Sequence, residues 1–188
     1  PDGTIGGWVA DTASVKNTCF VGEDARVYDN ADVYGNARVC GYALVFGKAD
    51  VFDNALVYDN ARVCDNAHVY GNAHVRSSAI VCGNADVSGD ARVYGHARIY
   101  DDVRVYGNAH VSSGARVRGY ARVSGYADIA GNANVSGNAD IAGKIDVCGQ
   151  TVINGRFTFS DTIQQQEITT PDNQQNFRTP RQINIRTP

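Results

Sequence analysis

Along most of this chain the apolar positions recur every six residues. From Val9 onward each sixth residue through Ile153 is Val or Ile, 25 positions in succession without an insertion. Four residues after each of them stands Ala in 20 of the 25 cases, the exceptions being Cys19, Val103, Ile145, Thr151 and Phe157. Six is not a helical period, and the Gly, Asp and Asn that fill the second half of each hexad would break a long helix. Short strands joined by tight corners fit better. A β-branched residue suits the middle of a strand. The Gly-Asn or Asp-Asn pair suits a corner that visits positive φ, and the Ala tucks inside that corner, where a larger side chain would collide. Three hexads then make one triangular turn of 18 residues, stacked on the next at the parallel-strand spacing of about 4.8 Å. Residues 9–159 make a little over eight such turns, a prism on the order of 40 Å long.

The ends depart from the period. At the front, "DGTIGGW" with Trp8 is read as a cap over the first turn, so residues 1–8 form an N-terminal cap. At the rear the inward residues enlarge to Ile145, Phe157 and Phe159. After them residues 160–188 abandon the repeat and become rich in Gln, Thr and Pro. Ile163, Ile168, Phe177, Ile183 and Ile185 give this tail apolar anchors, so it is expected to dock on a prism or exchange with a neighbour. Capping matters because the open ends of a β-solenoid would otherwise recruit other chains.

With an interior this uniform, the outward columns carry what is distinctive. Residues 18 apart share a column, and one face collects Arg26 with Tyr28, Leu44 with Phe46, Arg62 with Cys64, Ile80 with Cys82 and Arg98 with Tyr100. Leu44, Phe46, Cys64, Ile80 and Cys82 form an apolar group over three turns, which is read as a surface for self-association. Another column runs Tyr34, Phe52, Tyr70, an aromatic ladder that either stiffens the coil or faces a ligand. Cys64 and Cys82 stand on adjacent turns but point in parallel, so both are expected as free thiols.

Charge adds a second pattern. The net charge of −3 and the 43% hydrophobic content describe an ordered chain rather than a disordered or strongly anion-seeking one. Arg92, Arg98, Arg104, Arg116, Arg118 and Arg122 nevertheless fall within about two turns and on all three faces. This basic collar is a candidate for phosphate or CoA binding. It is balanced by acid elsewhere and lacks the interleaved aromatics of single-strand binders, which argues against nucleic acid and for a solvated ring. Five cysteines without metal-finger spacing fit reduced thiols, and the start "PDGTIGGWV" has neither the basic nor the apolar segment of a secretory signal. The chain is therefore expected in the cytoplasm, with no membrane span.

The hexads "VYGNAR", "VCGNAD" and "VYGNAH" resemble the hexapeptide repeat of left-handed parallel β-helices, over about four-fifths of the chain. The ends, "GGWV" at 6–9, "VING" at 152–155 and "RTP" at 178–180 and 186–188, resemble those of uncharacterised bacterial and phage-associated hexapeptide-repeat proteins, often labelled transferase-like by fold. The resemblance implies a left-handed coil and, among better-known relatives, trimers that bind acyl-CoA between prisms. Those relatives use a His as general base and usually a loop thrown out to cover the site. Here no loop interrupts the period. His96 falls at a corner and His68 on a different face from His74 and His110, which share a column two turns apart, roughly 10 Å. A zinc site of the hexapeptide carbonic anhydrase kind would need three converging His, and no spacing here supplies them.

The sequence thus reads as a non-catalytic scaffold without cofactor or metal, a homo-oligomer, dimer or trimer, that engages an unknown protein partner. The alternative is an acyltransferase using acetyl-CoA or another acyl-CoA, with His74 or His110 as base.

Overall fold

The computed structural model describes residues 6–156 and 158–159. Residues 1–5, Phe157 and residues 160–188 lie outside the described residues, and with them most of the expected cap and the expected docking of the tail. Over residues 6–159 the chain is an all-β parallel solenoid of about eight turns, and no helix occurs among the described residues. Each hexad contributes one short strand, from Trp8–Val9 to Thr158–Phe159. The strands fall into three parallel sheets, which form the faces of the prism. The first face begins Trp8–Val9, Arg26–Val27, Leu44–Val45; the second Ser14–Val15, Asp32–Val33, Asp50–Val51; the third Phe20–Val21, Arg38–Val39, Leu56–Val57. Every register is offset by 18 residues, so Val27 pairs with Val45 and His68 with Asp86.

The interior is built from the two repeating positions. Val or Ile at the strand and Ala at the corner are fully buried from Ala25 through Ile141. Each buried Val contributes about 1.5–3 kcal/mol relative to leaving it in water, and each packs on a Val or Ile above and below it in its column. The corners explain the small inward residue. Where Val103 and Ile145 replace Ala, the corners at 101–102 and 143–144 relax from tight turns to bends. Cys19 and Thr151, which also replace Ala, follow corners that remain turns and are less deeply buried than Val103 and Ile145.

The positive-φ position of the corner explains the choice of Gly or Asp. A Cβ added to Gly35 would lie 2.7 Å from the backbone N of Asp53, one turn on, so a side chain there is aimed at the next corner's amide. Asp uses that direction. The carboxylates of Asp29, Asp53, Asp59, Asp65 and Asp101, all at φ between 58° and 66°, accept hydrogen bonds from the N–H groups of Gly47, Gly71, Ser77, Gly83 and Gly119. The residue one turn above each of these Asp is Gly or Ser, small enough to leave the carboxylate room.

At the amino end Trp8 opens the first strand of the first face, 57% exposed, its ring tilted against Tyr28 at 6.2 Å. At the other end the strands lengthen to four residues in Asn134–Gly137 and Val152–Gly155.

The core position can be checked directly. Val69, fully buried between Val51 and Val87, has no polar partner nearby for a charge. Val69→Asp is expected to destabilise the protein by on the order of 3–5 kcal/mol, read as a lower melting temperature; a melt matching the parent would show that this position does not face a dry interior.

Candidate functional site

The three faces differ in what their outward columns do. On the second face the expected aromatic ladder forms: Tyr34, Phe52 and Tyr70 stack at 4.8 Å between ring centroids, within 3° of parallel. Because the rings cover one another, they present edges rather than faces to solvent. Beside them runs a charge ladder that sequence reasoning missed. His68 Nδ1 lies 3.0 Å from Asp86 Oδ1 and its Nε2 3.5 Å from Asp50 Oδ2, and Arg104 Nε lies 3.7 Å from Asp86. The 18-residue register that aligns the aromatics also aligns these four residues; the signal is present in the sequence, but in a column of unlike residues rather than like ones.

On the third face His74 and His110 share a column as expected, but Arg92 stands between them, paired in register with both. His74 meets Tyr58 edge-on at 6.3 Å, and His110 meets Tyr94 at 6.4 Å. Arg76 lies over the Tyr94 ring, 4.6 Å from its centroid. Burial, with Arg92 and Arg76 assisting, holds His74 below the ordinary imidazole value of 6.5, which favours its neutral form. His110 continues into Asp128, whose carboxyl is pushed up by burial, against the pull of His110, and has one oxygen without a hydrogen-bond partner. The two His are thus held apart on a flat face. An open depression of about 450 Å³ among the described residues, lined by Trp8, Glu23, Asp24, Ala25, Arg26 and Tyr42, lies at the first turns, away from both His. His96 is exposed at its corner.

The first face brings together Leu44, Phe46, Cys64, Ile80 and Cys82 on adjacent levels, with the exposed Arg62 inserted in register between Leu44 and Ile80. Leu44, Phe46, Ile80 and Cys82 are half-buried and Cys64 is buried. Phe46 stacks on Tyr28 at 4.9 Å. Here one expectation is corrected: Cys64 and Cys82 are not free thiols but form a disulfide, with Cα atoms 4.7 Å apart. Parallel pointing does not forbid the bond. In-register neighbours lie within the usual Cα range for a disulfide, and rotation about χ1 brings the sulfurs together. Asp65 lies within 4.8 Å of both sulfurs, but bonded sulfurs offer no thiolate to a metal. Cys19, Cys40 and Cys148 are free, and burial pushes the Cys40 thiol up.

The basic collar divides by face. Arg98, Arg116 and Arg118 stand on the first face, Arg104 and Arg122 on the second, Arg92 on the third. Arg98 pairs in register with Arg116, and Arg104 with Arg122, so like charges meet directly.

The disulfide and His74 each lend themselves to measurement. The Cys64–Cys82 bond closes an 18-residue loop, which in the chain-entropy account stabilises by about 3 kcal/mol; reduction, or Cys64→Ser with Cys82→Ser, is expected to lower the denaturation midpoint by up to that amount, and an unchanged midpoint would show that the bond contributes nothing. For His74, whose folded pKa is depressed, the unfolded chain takes up the proton more readily, so stability falls as pH drops through the window below 6.5. His74→Gln should flatten that fall relative to the parent in melts from about pH 7.5 to 5; parallel curves would remove His74 as its cause.

A family model described as a YdcK beta solenoid repeat matches residues 25–41 and 97–113. Both segments start at an inward Ala that leads into the first face, four 18-residue turns apart. No curated protein matches the chain. The chain is accordingly a parallel β-solenoid that carries a repeat similar to the YdcK beta solenoid repeat.

Proposed function

We propose that this protein is a rigid, non-catalytic scaffold that associates with itself and with a protein partner. The observation that carries the reading is the fate of the outward polar groups. Asn36 donates to Asn54, Asn54 to Asn72 and Asn72 to Asp90; Asn66 donates to Asn84 and Asn84 to Asp102. Together with the stacked rings and the His68 ladder, these bonds direct side-chain chemistry to the coil itself. Repeats that contact only their neighbours make long, hard surfaces of this kind, suited to binding. In this reading the half-buried stripe of Leu44, Phe46, Cys64, Ile80 and Cys82 is one contact surface, and the arginine collar is a solvated ring.

A second reading is kept because of one observation, the depressed pKa of His74. A neutral imidazole on an outward column is a serviceable general base, as an acyl-CoA-dependent acyltransferase would require. Against it, catalysis needs the thioester held beside the base with water excluded, and the coil runs through His74 and His110 without an inserted segment.

The test is release of free thiol from acetyl-CoA with a panel of amine and hydroxyl acceptors. The parent is expected to give no turnover above background, and His74→Ala with His110→Ala to match it. Turnover in the parent that the double variant loses would establish the acyltransferase and overturn the scaffold.

A further inference from the structure

The second face carries an order of charges that is complementary to its own reverse. Its outward column reads Asp32, Asp50, His68, Asp86, Arg104, Arg122 on six successive strands. Inside one chain each end of this run repeats a charge, although Arg122 has Asp140 in register on its far side. Asp32 pairs in register with Asp50 and Arg104 with Arg122, and like charges directly opposite one another are unfavourable. The middle, from Asp50 through His68 and Asp86 to Arg104, is compensated within the chain by the contacts of His68 with both carboxylates and by the Arg104–Asp86 ion pair, whereas Asp32, between Ser14 and Asp50, has no opposite charge on either neighbouring turn.

We infer that this face binds a second copy of the same chain, antiparallel, about a two-fold axis that runs parallel to the strands between the levels of His68 and Asp86. Such an axis reverses the solenoid direction while keeping each column opposite itself. Asp32 then faces Arg122 of the other copy, Asp50 faces Arg104, and His68 faces Asp86, and each pair recurs on the other side of the axis, as an isologous contact requires. The acid pair of one copy meets the arginine pair of the other.

The neighbouring column fits the same axis without adjustment. Tyr34 comes opposite Ser124, Tyr70 opposite Ser88, and Phe52 opposite Tyr106, so two of the three pairs set a large side chain against a small one. The corners agree as well. Tyr120 and Tyr126, 66% and 68% exposed, stand at the two corners that bound this face at the level of Arg122, and Tyr106, 40% exposed, lies on the face one level below. Across the axis Tyr120 and Tyr126 come opposite the exposed Asn30 and Asn36 at the level of Asp32. Three of the six exposed aromatic side chains among the described residues, including the two most exposed, are thereby gathered onto one surface, where grouped exposure marks a contact.

Neither other face has this property. The first-face column of Arg26, Leu44, Arg62, Ile80, Arg98 and Arg116 contains no acid. On the third face, the register that sets Arg38 against Asp146 leaves Arg92 opposite its own copy. A parallel two-fold on the second face fails too, because it swaps the columns and sets carboxylates against rings. Six strands span roughly 29 Å, so the contact sits at the small end of specific interfaces and should be a weak, salt-sensitive dimer.

This inference rests on the self-association in the scaffold reading, places a contact on a face distinct from the Leu44 stripe, and takes Arg104 and Arg122 out of the solvated collar. The experiment is sedimentation of the parent chain at about 10 to 200 µM in about 20 mM and about 500 mM salt, alongside three variants whose circular dichroism matches the parent. The parent is expected to dimerise in low salt and to dissociate in high salt. Asp32→Arg should weaken the dimer at least tenfold, and Asp32→Arg with Arg122→Asp, which exchanges the two charges that face each other across the axis, should restore it. Leu44→Lys with Phe46→Glu should leave this dimer in place. A parent that stays monomeric throughout, a dimer indifferent to Asp32→Arg, or a charge exchange that fails to restore association would each overturn the proposal. Loss of association in the Leu44, Phe46 variant alone would assign the contact to the first face and leave the scaffold reading standing, whereas acyl-CoA turnover would sink that reading independently.

Discussion

Every residue in this coil has the same two neighbours of consequence, the residues 18 before and 18 after it. In-register parallel stacking imposes this on all three faces at once, because a turn of constant length cannot shift one column without shifting the others. The consequence is severe for the interior. A Val must sit on a Val and an Ala inside an Ala corner, and one inserted residue would move every later inward side chain to the outside. That is why the hexad count runs from Val9 to Ile153 without a slip, and why Val103 and Ile145 enter the interior at opened corners rather than by shifting register.

The same constraint shapes the corners. A side chain at the positive-φ position points at the amide one turn on, so the identity of one corner limits the next. In the column that begins Asp29, Gly47, Asp65, Gly83, Asp101, Gly119, Asp and Gly alternate, and each Asp accepts from the Gly above it. Asp on Asp would set two carboxylates against one another and crowd the bonded one. Gly alone would forgo the bond. What reads in the sequence as loose tolerance for Gly or Asp is a rule about successive turns.

Register also decides how much of the molecule is legible in its sequence. The period, the three faces, the buried Val and Ala and the Tyr34–Phe52–Tyr70 stack follow from arithmetic on positions, because backbone register fixes them. The Cys64–Cys82 bond and the Asp50–His68–Asp86 ladder do not, since both depend on how a side chain turns about χ1 once its column is set. Column membership is legible for Cys64 and Cys82; the rotation that joins them is not. For the apolar stripe, the arithmetic groups Leu44 and Ile80 correctly by column, while Arg62 between them belongs to the same column and weakens the stripe as a continuous surface. The proposed roles of His74, His110 and the arginine collar turn on partners that positions do not name.

A one-dimensional stack therefore separates two kinds of outward residue on physical grounds. Asn54 and Asn72, Phe52 and Tyr70, or His68 and Asp86 satisfy one another along the column, and a change in any of them is felt first as stability. Arg104 beside Arg122 and Asp32 beside Asp50 repeat a charge in register; Asp86 and Asp140 flank the arginine pair, but Asp32, with Ser14 on its other side, meets no opposite charge on either neighbouring turn. A chain selected only to stack would alternate those signs, as the corner alternates Asp with Gly. Columns that run against their own stacking energy are where a surface answers to something outside the coil, and on the second face the charges that run against it do so in an order that a reversed copy of the same face completes.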